Sequence, residues 1–125
     1  GVACLKYYDD VNILDNVNAS GKVLGEELEA LKSKYEIVGD VRYIGLFSAI
    51  ELVRDRETKE PLVEYGKDPA GIMKSIIGKL AQKGFMTYSH ENMILICPPL
   101  IITPEQVREE MKKVDEVISE INGIY

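Results

Sequence analysis

Histidine occurs only once in the 125 residues, at position 90, within "SHENM", which reads as a turn. No second histidine, cysteine or carboxylate stands beside it at a ligand spacing. His90 therefore reads as a surface residue, and no metal site is expected. Nor can a Ser/His/Asp arrangement be assembled around it. Cysteine is almost as scarce: Cys4 and Cys97 lie far apart in apolar settings. They read as two buried thiols of a cytoplasmic protein, with a disulfide or a metal pair as the alternative. No apolar run is long enough for a membrane span, and the opening "GVACLKYYDD" turns acidic too soon for a signal peptide. Positive charge is in deficit, with 15 Lys and Arg against 21 Asp and Glu and a net charge of −6, which argues against a nucleic-acid partner. The glycines fit neither G-x-G-x-x-G nor the P-loop spacing. Repeats and low-complexity tracts are absent. What remains is one domain spanning residues 1–125, with no membrane or nucleic-acid partner.

Apolar residues make up 46% of the chain and charged residues 29%, the mixture of a folded globular protein. Between Ala3 and Val17 the spacing of Tyr7, Val11 and Leu14 predicts a short helix that frays among asparagines and aspartates. In "SGKVLGEELEALKSKY", Leu24, Leu28, Leu31 and Tyr35 share one helical face, and Ser20 is placed to cap its start. "EIVGDVRYIGLFSAIELV" loses the helical stripe and predicts two strands hinged near Gly39-Asp40 or Gly45. Within it Leu46, Ser48, Ile50 and Leu52 share one side and Phe47, Ala49, Glu51 and Val53 the other. Neither side is fully polar, so this strand should be covered on both sides or lie at an interface.

"RDRETKEPLVEYGKD" reads as a charged, exposed connection. Asp68-Pro69 then predicts a helix start, with Asp68 as cap and Pro69 at the first helical position. Ile72, Met73, Ile76, Ile77 and Leu80 form its apolar face, and Gly84 ends it. Gly71 and Gly78 weaken this helix, and close packing against another backbone would explain them. "FMTYS" and "MILIC" predict a strand pair joined at "HEN", broken by Pro98-Pro99, which cannot donate to a ladder. "TPEQ" then carries a capping box, and Val107, Met111, Val114, Ile118 and Ile121 form a regular apolar stripe. The expected fold class is α+β: a small, mostly antiparallel sheet with helices packed on one face.

Glu26, Glu27 and Glu29 form a helix surface rather than a paired-carboxylate site. Met73, Met86, Met93 and Met111 read as scattered core residues. Arg42, the one charge inside an apolar run, reads as a snorkelling or edge-facing side chain. The residues alone describe a packed domain with no self-contained active site. Such a chain is a binding module or a piece of a larger enzyme.

Several stretches resemble one family. "VGDVRYIGLFSAIELVRDRETKEP" is similar to the segment of class III pyridoxal-phosphate-dependent aminotransferases that reads V-G-D-V-R-G-x-G-L, then apolar residues, then E-L-V. "KGFMTYSHENMILICPPLIITPEQV" resembles a later segment of the same family, with its strand pair, P-P-L-I-I-T and final helix. "GVACLKYYDD" looks like the start of the helix after the family's G-H-P-V-A-C segment. Order and spacing agree across almost the whole chain.

The resemblance implies the C-terminal small domain of a type I pyridoxal-phosphate enzyme that transfers an amino group between an amine or amino acid and a 2-oxo acid. The family's cofactor lysine, its aspartate to the pyridine nitrogen, its aromatic stacking residue and its phosphate-binding threonine all lie upstream of what this chain contains. Pyridoxal phosphate is thus expected in the full-length parent and not on this chain, with the missing large domain and a second copy in a homodimer as partners. Gly1 stands where the family has proline, which suggests a cut or cleavage boundary. The resemblance also assigns substrate-facing positions to Tyr88 and Leu95, where relatives place a carboxylate-binding arginine. Neither is charged here, so the substrate carboxylate is gripped from elsewhere or the substrate lacks one nearby. Tyr43 replaces a family glycine, and the first helix looks shorter than the family norm. The rival reading is a non-enzymatic α+β module that dimerises or binds a small ligand through its sheet.

Overall fold

Every β-ladder in the computed structural model, which describes residues 1–125, is antiparallel. The elements are α1 (Val2–Asp10), α2 (Ile13–Lys34), β1 (Val38–Ile44), β2 (Phe47–Asp55), β3 (Glu60–Pro61), α3 (Ile72–Gln82), β4 (Tyr88–His90), β5 (Met93–Ile96) and α4 (Pro104–Asn122). The sheet order is β1-β2-β5-β4, with the two-residue β3 added to β2. Leu46, just before β2, and Ser48, Ile50 and Leu52 on it share one face, as the alternation predicts, and the structure makes it the buried one. The three apolar ones join Val41, Ile94 and Ile96 and the apolar faces of α2, α3 and α4 in one core. The expected one-sided α+β sheet is the observed architecture.

The last helix follows its sequence signals. Thr103 Oγ1 accepts from the Gln106 N–H at 3.2 Å, and Gln106 Oε1 accepts from the Thr103 N–H at 3.0 Å. Val107, Met111, Val114, Ile118 and Ile121 are all buried. Truncating any one of them to alanine removes about 2–5 kcal/mol for an isoleucine or methionine, transfer and cavity terms together.

Other expectations need correction. The N-terminal segment is not one frayed helix. Asn12, at φ 49, breaks it in the left-handed region, and α2 then runs unbroken for 22 residues. Ser20 is not a cap. It lies buried inside α2, whose own ladder occupies its backbone, so its hydroxyl is free to bond another part of the chain. Asp68 does cap α3, but over a longer reach: Oδ1 accepts from Ile72 N–H at 2.7 Å and Oδ2 from Met73 N–H at 3.0 Å. Gly71, at φ 64, makes the intervening turn, so the helix starts after Pro69 rather than on it.

Close packing does not explain Gly71 or Gly78, because a Cβ at either would meet nothing within 4 Å. It does explain Gly21 and Gly25. A Cβ on Gly21 would stand 2.7 Å from the Gly45 carbonyl oxygen, and one on Gly25 would stand 2.6 Å from the Tyr43 ring. The "charged, exposed connection" also buries Leu62 and Val63. Cys4 and Cys97 are exposed rather than buried. Only Tyr88–His90 of "FMTYS" and its continuation joins the ladder, and the turn is Glu91-Asn92, with Glu91 at φ 54.

Arg56 had no sequence signal and proves central. Its Nη2 donates to the carbonyl oxygens of Lys32 (2.7 Å), Tyr35 (2.6 Å) and Val38 (2.8 Å). One guanidinium thus closes the C-terminal end of α2, the turn after it and the start of β1. Arg56→Ala should cost roughly 2 kcal/mol in thermal unfolding, since half-buried carbonyls lose their donor. Arg56→Lys should recover only part, because an ammonium lacks the planar fork. An unchanged melting temperature in Arg56→Ala would refute this role.

Candidate functional site

The sheet face turned away from the helices is where sequence positions of interest converge. Antiparallel register lines up Arg42, Ala49, Leu95 and Tyr88 as successive Cα partners across β1, β2, β5 and β4. Partners in a ladder share a face, so this row lies opposite the buried Ile50 and Ile94. Tyr88 and Leu95, seven residues apart in the chain, are therefore direct neighbours. Tyr88 is 61% exposed and Leu95 is half-buried. The neighbouring row runs Asp40, Glu51, Met93 and His90. His90 sits exposed at the end of β4.

The register at this face is held by polar groups beneath and beside it. Thr87 Oγ1 donates to the Leu95 carbonyl oxygen. Asn92 is buried in the β4–β5 turn, donates from Nδ2 to the Leu52 carbonyl at 2.8 Å, and accepts at its own carbonyl from Leu52 N–H at 2.9 Å. Asparagine suits the turn and also gives the Leu52 carbonyl a second donor beside the Leu62 N–H at 3.1 Å.

Arg42 is the one lysine or arginine on these two rows, and it does not stand free. It pairs with Glu51 across the ladder and with Asp40 at 3.4 Å, and its Nη1 lies 3.7 Å from Met93 Sδ. Asp40 in turn bonds Lys32 Nζ at 2.8 Å. The Lys32 hydrogen bond, followed by the Val41 amide, the Lys32 charge and the Arg42 hydrogen bond, holds the Asp40 carboxyl below its usual range; Asp40 raises Lys32 correspondingly. The one cation of these two rows is thus engaged by carboxylates of its own sheet.

Around the Leu95–Tyr88 pair the surface is apolar. Ile44 is 77% exposed, Phe47 60% and Met86 81%. At this end of the sheet a cavity of about 280 Å³ opens between α2, α4 and the chain breaks at Phe85–Thr87 and Cys97–Pro99. Met86 and Thr87, next to Tyr88, and Cys97 and Pro98, just beyond Leu95, line it. The prolines end β5 at Ile96 and turn the chain along the cavity rim. Helix α1 has no buried residue and presents Val2, Leu5, Tyr7 and Tyr8 to solvent.

The geometry can shape an apolar or neutral polar group and offer one phenol hydroxyl. A nucleophile paired to a base is not assembled here, and no group of three or more His, Cys, Asp or Glu could hold a metal ion. No helix is long and apolar enough to cross a membrane. Sequence reasoning missed Arg56 and Asn92, whose partners lie 18 to 40 residues away, and the Lys32–Asp40–Arg42–Glu51 chain, which forms only when the end of α2 and the β1–β2 ladder place these side chains together.

Comparison with known proteins bears on this surface. The model of the family described as aminotransferase class-III matches residues 1–118. A taurine–pyruvate aminotransferase of Bilophila wadsworthia is 31% identical over 96% of this chain and 26% of its own length. An adenosylmethionine-8-amino-7-oxononanoate aminotransferase of Methanocaldococcus jannaschii is 39% identical over 85% of this chain and 22% of its own. Among solved structures, the taurine:2-oxoglutarate aminotransferase of Bifidobacterium kashiwanohense, in complex with PLP and glutamate, matches with a TM-score of 0.92 at 38% identity. That match covers 98% of this chain and 27% of the other. The chain therefore spans about a quarter of the length of the relatives it matches.

The exposed apolar face carries an expectation of its own. The chain by itself should self-associate, since such a patch seeks cover. In sedimentation over a concentration series, Ile44→Ser with Phe47→Ser should shift the distribution toward monomer. A wild-type chain that stays monomeric at every concentration would count against a missing cover.

Proposed function

The chain belongs to the class-III aminotransferase family, and from that premise we propose that residues 1–125 form the C-terminal small domain of a transaminase. The parent moves an amino group between an amine or amino acid and a 2-oxo acid. The observation that carries this reading is the likeness of nearly the whole chain to about a quarter of a taurine:2-oxoglutarate aminotransferase, at a TM-score of 0.92. The physical support is the uncovered face. An open sheet with Ile44, Phe47, Met86 and Tyr88 exposed, and a helix with no buried residue, suit a domain that packs against a larger one. We place that large domain in the same polypeptide and the whole in a cytoplasmic homodimer.

Pyridoxal phosphate, the family's cofactor, supplies an electron sink for amino transfer when bound. The residues of this chain do not by themselves fit it. No lysine lines the apolar cavity at Met86 and Pro98. Lys32, Lys34, Lys79 and Lys83 are engaged with surface carboxylates. The cofactor lysine is accordingly assigned to the large domain. Mixing the chain with cofactor, reducing with borohydride and mapping adducts should yield only scattered, substoichiometric labelling. One lysine labelled to completion would place the cofactor here instead.

In this reading the small domain's part is to shape the substrate pocket through Tyr88 and Leu95. Leucine offers apolar contact and tyrosine a single hydroxyl, whereas an arginine would offer a bidentate pair to a carboxylate. Arg42 on the same row is already ion-paired. In the full-length parent, Leu95→Arg or Tyr88→Arg should raise kcat/KM for a carboxylate-bearing donor relative to a simple amine by about ten- to a hundredfold, the worth of a charge-assisted hydrogen bond. Leu95 is half-buried and its arginine variant risks instability, while the exposed Tyr88 tolerates the change. Stable variants at both positions with an unchanged donor ratio would sink the pocket assignment.

A further inference from the structure

The loop after the two prolines is held in an unusual way. Neither Pro98 nor Pro99 has an N–H to donate. Across Cys97–Ile102 the one backbone–backbone hydrogen bond runs from Ile102 N–H to the Pro99 carbonyl, at 3.0 Å. Leu100 and Ile101 stay exposed, so apolar burial does not hold them either. What does reach the loop is a pair of side chains from α2. Asn16 Nδ2 donates to the Leu100 carbonyl at 2.7 Å and to the Ile102 carbonyl at 3.0 Å, and Ser20 Oγ donates to the same Ile102 carbonyl at 2.7 Å. The two residues stand at i and i+4, on one face of the helix. Ser20 is fully buried. Its position inside a helix, poor as a cap, places its hydroxyl under the loop.

The other side of this loop is the wall of the apolar cavity. Cys97, Pro98 and Pro99 line it opposite Met86 and Thr87, which lead directly into Tyr88. Leu95 is two residues before Cys97. Neither Tyr88 nor Leu95 lines the cavity, which opens on the helix side of the sheet end, so a displaced loop would reach the two positions through the chain at Met86–Thr87 and Cys97.

We propose that Asn16 and Ser20 are positioning residues: they clamp the Pro98–Ile102 loop to α2 and so set the wall of the substrate entrance. The proposal rests on the transaminase reading for its substrate side and on the hydrogen bonds alone for the clamp. Neither residue reaches Tyr88 or Leu95, so their influence is through the loop. Loss of the clamp should act on substrate fit more than on the chemical step. The effect should grow with donor size, because a large donor depends on the wall where a small one does not.

The test uses the full-length protein that contains this chain, with Asn16→Ala/Ser20→Ala. Thermolysin cuts before leucine and isoleucine, and mass analysis of the fragments isolates cleavage between Pro99 and Ile102. Cleavage there should accelerate about tenfold or more at a temperature well below melting, the expected worth of the lost hydrogen bonds. Ser20→Ala alone, which leaves both Asn16 bonds, should give about threefold and serves if the double variant does not fold. In steady-state kinetics KM for a bulky amine donor should rise about tenfold with kcat within about twofold, while a small donor changes little. Ser20→Thr, which keeps the hydroxyl, should restore wild-type behaviour. Unchanged cleavage overturns the clamp. Faster cleavage with an unchanged bulky-to-small KM ratio overturns the positioning role. A protein that transaminates no donor yet shows faster cleavage refutes the proposed function and leaves the clamp standing.

Discussion

Strand β2 is the constraint on which the rest of the structure depends. It pairs with three strands, β1, β5 and the short β3, whereas every other strand pairs with one or two. Its alternation decides which face of the sheet is buried. A slip of one residue would turn Ile50 and Leu52 outward and drive Glu51 toward the core, an outcome a one-sided sheet does not tolerate. With β2 fixed, β5 follows through the pairings of Ile50 with Ile94 and Ala49 with Leu95. β4 follows β5 through a two-residue turn, and Tyr88 arrives beside Leu95. The candidate site is thus a consequence of one strand's register, propagated through two ladders.

Helix α2 gives that sheet its backing, and it does so by lacking side chains where the hairpin crosses it. The carbonyl of Gly45 and the ring of Tyr43 occupy the space that side chains at Gly21 and Gly25 would need. Tyr43, which departs from the glycine expected at its position, fits because Gly25 is opposite, and its hydroxyl finds Glu29 Oε1 at 3.3 Å. At the C-terminal end of the same helix Arg56 gathers the carbonyls of Lys32 in its last turn, of Tyr35 just after it and of Val38 at the start of β1. One helix therefore touches the hairpin tip, the start of β1 and the loop beyond the prolines. Those contacts place its length under several independent constraints, which is why it runs through the serine that by local preference would have started it.

The two faces of the sheet differ in what they ask of a partner. The helix side is saturated, with Leu28, Ile50, Leu80, Val114 and Ile118 fully buried. The other side mixes exposed large apolar groups with an ion-paired arginine, a surface too apolar for water and too polar for a second helical layer. Burying Phe47 or Met86 fully would be worth about 1.5–3 kcal/mol each, a substantial incentive for a neighbouring domain. Arg42, held by Glu51 and Asp40, can enter such an interface already neutralised, which lowers the desolvation cost that an unpaired guanidinium would carry.

Local signals in the sequence determined the elements that depend on near neighbours. The capping box at Thr103 and Gln106, the stripe from Val107 to Ile121, the face of Leu24, Leu28 and Leu31, and the stop at Pro98-Pro99 all involve residues within a few positions of one another, and all stand in the structure. The alternation on β2 told which residues share a face, though not which face the helices would cover, and the quoted segments were enough to point to the family. Tertiary structure decided everything that needed a distant partner. Ser20 became a buried donor to Ile102, residues that stand 82 apart. Asp68 capped across a glycine turn whose left-handed backbone no spacing rule foretells. Cys4 and Cys97 came to the surface because α1 buries none of its residues and β5 ends before the prolines, at Ile96. Arg56 found its three carbonyls only after α2, β1 and β2 had met. Local preference is a property of the chain itself, whereas a hydrogen bond between segments exists only once packing has brought its two ends together.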